Sequence, residues 1–132
     1  MAGMSIKKGE IIVPRDSNVW PHEVHTAEAL AAIGYTVEFI PCGKQEHENS
    51  ADAMIGGIKW EFKAPKSGST KAIERNLKRA RWQSSCIVFD SHRMKQIPDV
   101  VIERELRKWA IEIRGISRLI FVSRSRKVID IL

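Results

Sequence analysis

An α/β sandwich with a mixed central sheet flanked by helices is the fold class this sequence predicts. Three observations carry that expectation. Short apolar runs with strand-type residues alternate along the chain with segments of helical periodicity, the order expected when helices cover the faces of one sheet. A Gly56-Gly57 pair between two such runs marks a hairpin, and the chain of 132 residues, 43% apolar, is long enough for one core and short for two.

The elements follow in order. Residues 1–17 read as a polar, irregular N-terminal arm interrupted by Ile11-Ile12-Val13, and the domain proper is expected over 18–132. Pro21 suits the first turn of a helix running to about Ile33, with Gly34 placed to end it. Tyr35 to Ile40 reads as a strand stopped by Pro41, and Gly43 to Ser50 as a polar loop. The hairpin spans Ala51 to Lys63. Ala64 to Ser69 then breaks structure and offers a cap for a helix from Thr70 to Gln83, whose apolar stripe is Ile73, Leu77 and Ala80. Cys86 to Phe89 reads as a buried strand. Pro98-Asp99 opens a third helix with the stripe Ile102, Leu106, Trp109 and Ile113, ended at Gly115; Arg118 to Val122 and Val128 to Ile131 close the sheet around a basic turn. The predicted order is α-β-β-β-α-β-α-β-β.

Composition narrows the function. No apolar run approaches the length of a membrane span, and Met1 to Glu10 lacks the apolar stretch of a secretory signal. Cys42 and Cys86 stand far apart in no metal or redox spacing, so reduced thiols in a cytosol-like setting are expected. The net charge of +6 matters through its distribution. Between Lys59 and Arg81 eight basic residues face two acids, and Arg114 to Lys127 holds five basic residues and no acid. Such clustering suits a surface that follows phosphates.

The hairpin carries the chemistry. Alternation puts Trp60 and Phe62 on one face of the second strand and Glu61 and Lys63 on the other, where Asp52 from the first strand meets them. Two carboxylates and a lysine suit a Mg²⁺ or Mn²⁺ ion that activates water against a phosphodiester, the chemistry of a nuclease. Asp52 and Glu61 are the expected metal ligands, with the Phe62 carbonyl as a further oxygen, and Lys63 the group that orients water or offsets charge on the phosphate. The residues do not choose among Mg²⁺, Mn²⁺ and Zn²⁺.

On a helical wheel centred on Glu23, Ala27 falls at about 40°, Leu30 at about −20°, Ala31 at about 80° and Gly34 at about 20°. Glu23 therefore shares the apolar face, where a carboxylate needs compensation, and is read as a site acid; Glu28, at about 140°, faces solvent. Lys66, Lys71, Arg75, Lys78, Arg79 and Gln83 are the expected nucleic-acid contacts. His22 and His25 are three apart and do not form the four-residue zinc spacing, while His47 and His92 read as loop residues. The four tryptophans, Trp20, Trp60, Trp82 and Trp109, fall where core or amphipathic contacts are expected.

Taken together, Glu23, Asp52 and Glu61-Phe62-Lys63 resemble the PD-(D/E)xK phosphodiesterase superfamily over roughly residues 20–90. More narrowly the chain resembles the C-terminal tRNA nuclease domain of contact-dependent growth inhibition toxins, the CdiA C-terminal family. Glu23 to Ala27, Val37 to Pro41, Ser50-Ala51-Asp52, Trp60 to Lys63 and Leu77 to Ala80 before Gln83 carry that likeness. The resemblance implies a PD-(D/E)xK nuclease-like fold and metal-assisted cleavage by Glu23, Asp52, Glu61 and Lys63. It also implies an RNA substrate, tRNA in preference to DNA, and a cognate immunity protein over the basic cleft. Ala51 stands where the superfamily's name-giving proline would be. With no delivery region or VENN-type boundary ahead of the domain, an excised toxin tip or a small stand-alone relative is expected, acting in the bacterial cytoplasm by a route the residues do not indicate. The alternatives are a DNA endonuclease of the same superfamily, a non-catalytic nucleic-acid-binding domain on this fold, and a module docking an acidic protein.

Overall fold

Among the described residues seven strands pair in chain order into one mixed sheet, and three helices cover it. The computed structural model describes residues 7–41 and 52–132. Its elements are β1 (Ile11–Ile12), α1 (Pro21–Ala32), β2 (Val37–Phe39), β3 (Ala53–Ile55), β4 (Ile58–Lys63), α2 (Lys71–Ala80), β5 (Cys86–Asp90), α3 (Asp99–Glu112), β6 (Arg118–Val122) and β7 (Val128–Asp130). The three joins that carry a helix, β1 to β2, β4 to β5 and β5 to β6, are parallel. The joins β2 to β3, β3 to β4 and β6 to β7 are antiparallel. A parallel neighbour needs a long crossover, whereas an antiparallel one needs only a turn.

β1 was not expected. Residues 11 and 12 were read within a polar arm, yet Ile11 and Ile12 sit in register with Val37 and Glu38. Just before them the Gly9 N–H donates to the Ala31 carbonyl at 2.8 Å, and a Cβ at Gly9 would lie 1.9 Å from the Tyr35 carbonyl oxygen. Only glycine allows that approach.

The hairpin forms as predicted where it is described. Ala53 pairs with Trp60 and Ile55 with Ile58 across Gly56 and Gly57, whose φ values of 60° and 80° are those a tight two-residue turn requires. Ala51, the expected loop Gly43 to Ser50 with His47, and Cys42 lie outside the described residues.

Strand alternation splits the core between the two faces. Ile87, Phe89, Leu119 and Phe121 meet Ile73 and Leu77 of α2 and Ile102 and Leu106 of α3. Phe39, Trp60, Phe62, Val88 and Ile120 meet Ala27 and Leu30 of α1 on the opposite face. Cys86 is buried with a free thiol. Helix ends fall short of expectation: α2 stops at Ala80 and residues through Gln83 form a turn, and α3 stops at Glu112. Among the described residues no helix is long and apolar enough to cross a membrane.

Candidate active site

The alternation that buries Trp60 and Phe62 on the α1 face sends Glu61 and Lys63 to the other, and the hairpin register brings Asp52 opposite them. The Asp52 N–H donates to the Trp60 carbonyl at 3.0 Å, tying the residue ahead of β3 to β4. The Phe62 N–H then donates to Asp52 Oδ2 at 2.9 Å, which fixes the carboxylate beside β4. The N–H and C=O of a strand residue leave the same edge, so the Phe62 carbonyl also points toward Asp52.

Glu61 is 3% exposed. Its Oε2 lies 3.2 Å from Lys63 Nζ, and its Oε1 is buried with no hydrogen-bond partner among the described residues. Burial pushes this carboxyl up to about 8; the Asp52 charge adds to the rise and the Lys63 ammonium opposes it. Asp52 is pushed up to about 6, first by burial and against the Phe62 N–H bond, then by the Glu23 charge. Two neighbouring carboxylates are thus held where ionisation is costly, with one oxygen lacking a donor. A cation is the group that would relieve both.

Glu23 reaches this site from α1 and also has a structural role. At the third position of the helix it accepts the Trp20 N–H at 2.9 Å, the back half of a capping box, and its charge is near enough to raise the Asp52 pKa. The carboxylate expected on the apolar face is therefore half-buried and satisfied in part by its own helix terminus. Glu28 is exposed as predicted.

A second buried carboxylate escaped the sequence analysis. Asp90, at the end of β5, accepts Thr26 Oγ1 at 2.6 Å, the His92 N–H at 2.9 Å and the Arg126 guanidinium at 3.0 and 2.8 Å. Burial alone would raise its pKa, but the Arg126 and Thr26 hydrogen bonds outweigh it and hold Asp90 below its ordinary value. Arg126 adopts a left-handed φ of 66°, which a non-glycine residue keeps only when its surroundings require it. His92 Nδ1 lies 3.0 Å from Asp90 Oδ1, off a good hydrogen-bond line, and the His92 ring meets the His25 ring edge-on at 4.6 Å. His22 sits between the two clusters. Its pKa is lowered by burial and by the Arg93 and His92 charges, against Asp52 and Asp90. His92 lies in a turn, as expected, but the distant His25 ring packed against it leaves no local sequence signature.

The basic residues divide. Lys71, Arg75, Lys78 and Arg79 are exposed along the outer face of α2, where Lys78 pairs with Glu74 at 2.7 Å. Gln83 shares a hollow with Lys63, Arg79 and Trp82, beside the acids. Lys66 stands apart, in a second hollow with Arg93 and Lys95. The expected placement of the tryptophans holds for buried Trp60 and half-buried Trp109 but not for Trp20 and Trp82, which are exposed. Both lie at helix ends, where a helical wheel no longer describes orientation.

The donor set fits a hard divalent cation that keeps waters of its own. Among the described residues no three carboxylate, imidazole or thiolate groups converge into a ready-made cage. Asp52 and Glu61 supply two carboxylates, and Mg²⁺ is commonly held by one or two, with water completing the shell.

No curated protein matches the chain. Among solved structures it is similar to the CdiA-CT/CdiI toxin and immunity complex from Burkholderia pseudomallei. The TM-score is 0.69 at 20% identity, covering 92% of this chain and 98% of that one. At that identity the likeness concerns the fold. Residues 49–128 match the model of the contact-dependent growth inhibition CdiA C-terminal domain, and the chain belongs to that family.

Proposed function

We propose that this domain is the toxic tip of a growth-inhibition system and acts as a metal-dependent endonuclease of PD-(D/E)xK type on RNA, tRNA ahead of DNA, in the bacterial cytoplasm. The observation that carries this reading is Glu61: a buried carboxylate, one of whose oxygens has no partner among the described residues, set beside Asp52 and 3.2 Å from Lys63. Membership of a toxin-domain family supports the setting.

Asp52 and Glu61 would hold Mg²⁺, Mn²⁺ or Zn²⁺, with the Phe62 carbonyl on the same edge. Bound there, the ion supplies Lewis-acid charge to the phosphate and lowers the pKa of water. The chain's own groups do the rest. The Phe62 N–H keeps Asp52 aimed at the site, and Glu23 ties the mouth of the site to the start of α1. Lys63 places an ammonium where charge develops on the phosphate. Arg79 and Gln83, in the same hollow as Lys63, are positioned to take the adjoining phosphate. The basic face of α2 would follow the backbone and, in the producing cell, would be covered by a cognate immunity protein. The similar structure is itself a toxin and immunity complex.

The test is cleavage of total tRNA and of plasmid DNA with Mg²⁺ or Mn²⁺ and with EDTA. Asp52→Ala and Glu61→Ala should each lower tRNA cleavage at least about a hundredfold while keeping the folded spectrum. Retained activity in both variants would remove the assigned site. Cleavage of DNA in place of tRNA would make the protein a DNA endonuclease.

A further inference from the structure

Trp82 is 68% exposed in the turn that follows α2. Its indole is held in place: the Arg81 guanidinium lies over the ring at 4.9 Å, and Arg81 is itself anchored by a 3.1 Å hydrogen bond to the Arg114 carbonyl. With one face against Arg81, that exposure leaves the other face to solvent. Two hollows meet at this side chain. One, of about 360 Å³, runs along α2 and is lined by Lys71, Glu74, Arg75, Lys78, Arg79 and Trp82. The other, also about 360 Å³, is lined by Lys63, Arg79, Trp82 and Gln83. Trp82 and Arg79 belong to both, so they join the basic helix face to the lysine of the candidate active site.

From this juxtaposition we infer that Trp82 and Arg79 form a nucleotide subsite: the open indole face stacks on an unpaired base while Arg79 holds a phosphate next to the scissile one. The inference rests on the nucleic-acid reading above and specifies it, because a base inside a duplex has both faces already stacked and only strand ends and unpaired bases offer a face to the indole. Charge favours this occupant over an apolar protein surface. The rim around the ring is cationic, its one acid, Glu74, is already paired with Lys78, and an apolar partner would have to strip water from the cations without pairing them. A single strand brings phosphates to the cations and a π face to the indole, the combination used by single-strand-binding grooves.

The experiment is equilibrium binding in EDTA, so that cleavage does not intervene. The probes are a fluorescein-labelled unstructured RNA of about twelve nucleotides, within the span of known single-strand sites, and a blunt RNA duplex. Trp82→Ala should weaken the single strand by about tenfold to a hundredfold and leave the duplex within about twofold. Trp82→Phe, which keeps a ring, should restore most of the loss. The side chain's exposure means that both variants should melt with the wild type. Wild-type single-strand affinity in Trp82→Ala would overturn the inference, as would equal loss of both probes. If Trp82→Ala keeps wild-type affinity for both probes while tRNA cleavage by the native chain stands, the subsite fails and the nuclease reading survives. If the selective loss is found and no cleavage exists, the subsite stands and the nuclease reading fails.

Discussion

Glu61 and Asp90 are carboxylates on neighbouring strands, 3% and 0% exposed, and the protein treats them in opposite ways. Asp90 receives four hydrogen bonds, two of them from a guanidinium, and its pKa falls below the ordinary value. Glu61 receives one ammonium, keeps an oxygen with no donor, and rises to about 8. Burial acts on both alike; the number and charge of the donors decide the sign. Asp90 therefore stabilises the fold by joining β5 to α1 and to the turn after β6. Glu61 costs the fold stability wherever it ionises; under the function proposed above, a bound cation would offset that cost.

The largest expected effect lies at Asp90. Asp90→Ala would leave the Arg126 guanidinium without its carboxylate, holding only the Ser123 and His25 carbonyls, and Thr26 Oγ1 with only the His22 carbonyl. Breaking a buried pair from one side costs about 3–5 kcal/mol, a large share of the stability of a domain this size. Urea denaturation should find a loss in that range. A loss below about 1 kcal/mol would mean that the Asp90 cluster behaves as a surface pair and the comparison would collapse.

At Glu61 the expected effect is smaller and opposite in its dependence on pH. A carboxyl whose folded pKa is raised binds its proton in the native state after the unfolded chain has lost it, so stability falls as pH rises toward the folded value. For Glu61 that window runs from its ordinary 4.5 to about 8. Asp52 shares the sign but is finished by about 6. Above pH 6, with EDTA present, the wild type should lose about 2 kcal/mol by pH 8 relative to Glu61→Gln. His22, with its lowered pKa, contributes with the other sign, yet it is common to both proteins and cancels in the difference. Lys63 faces Glu61 in the native chain and opposes the rise without removing it. Asp90, being depressed, loses its contribution only in acid, as pH falls below its ordinary 3.8. Denaturation at pH 6, 7 and 8 checks the difference, and parallel curves would show Glu61 to be ionised throughout.

The two regions also differ in how far the sequence revealed them. Asp52, Glu61 and Lys63 lie within twelve residues, and a two-residue glycine turn sets their register, so alternation alone placed them on one face. The stripe of α3 was legible for the same reason: period and neighbourhood suffice. Asp90 depends on Thr26, 64 residues away, and Arg126, 36 residues away, and no local pattern ties such positions together. β1 was hidden because two residues are too few to show alternation and its partner β2 lies beyond a helix. Glu23 was correctly drawn to the apolar side of α1, but its bond to the Trp20 N–H depends on a helix start whose geometry a wheel does not contain.

Thr26→Val sharpens the comparison most finely, because it removes one donor from Asp90 and, besides that, only the longer 3.1 Å contact of the same hydroxyl with the His22 carbonyl. Thr26 is 1% exposed, and valine keeps its shape without the hydroxyl. A hydrogen bond to a charged acceptor is worth about 1.5–3 kcal/mol. Here the lower end is expected, since Arg126 and the His92 N–H remain on the carboxylate. The loss should thus be about 1–2 kcal/mol, below that of Asp90→Ala. Thr26 also stands one turn after Glu23 on α1, so the same helix carries a ligand of each cluster. If the two clusters are separate devices, Thr26→Val should lower stability and leave cleavage at low temperature within about threefold, well under 1 kcal/mol of barrier. A much larger loss of cleavage in a still-folded variant would show that Asp90, through Thr26 and α1, sets the position of Glu23 against Asp52. The carboxylate assigned to the fold would then also belong to the site.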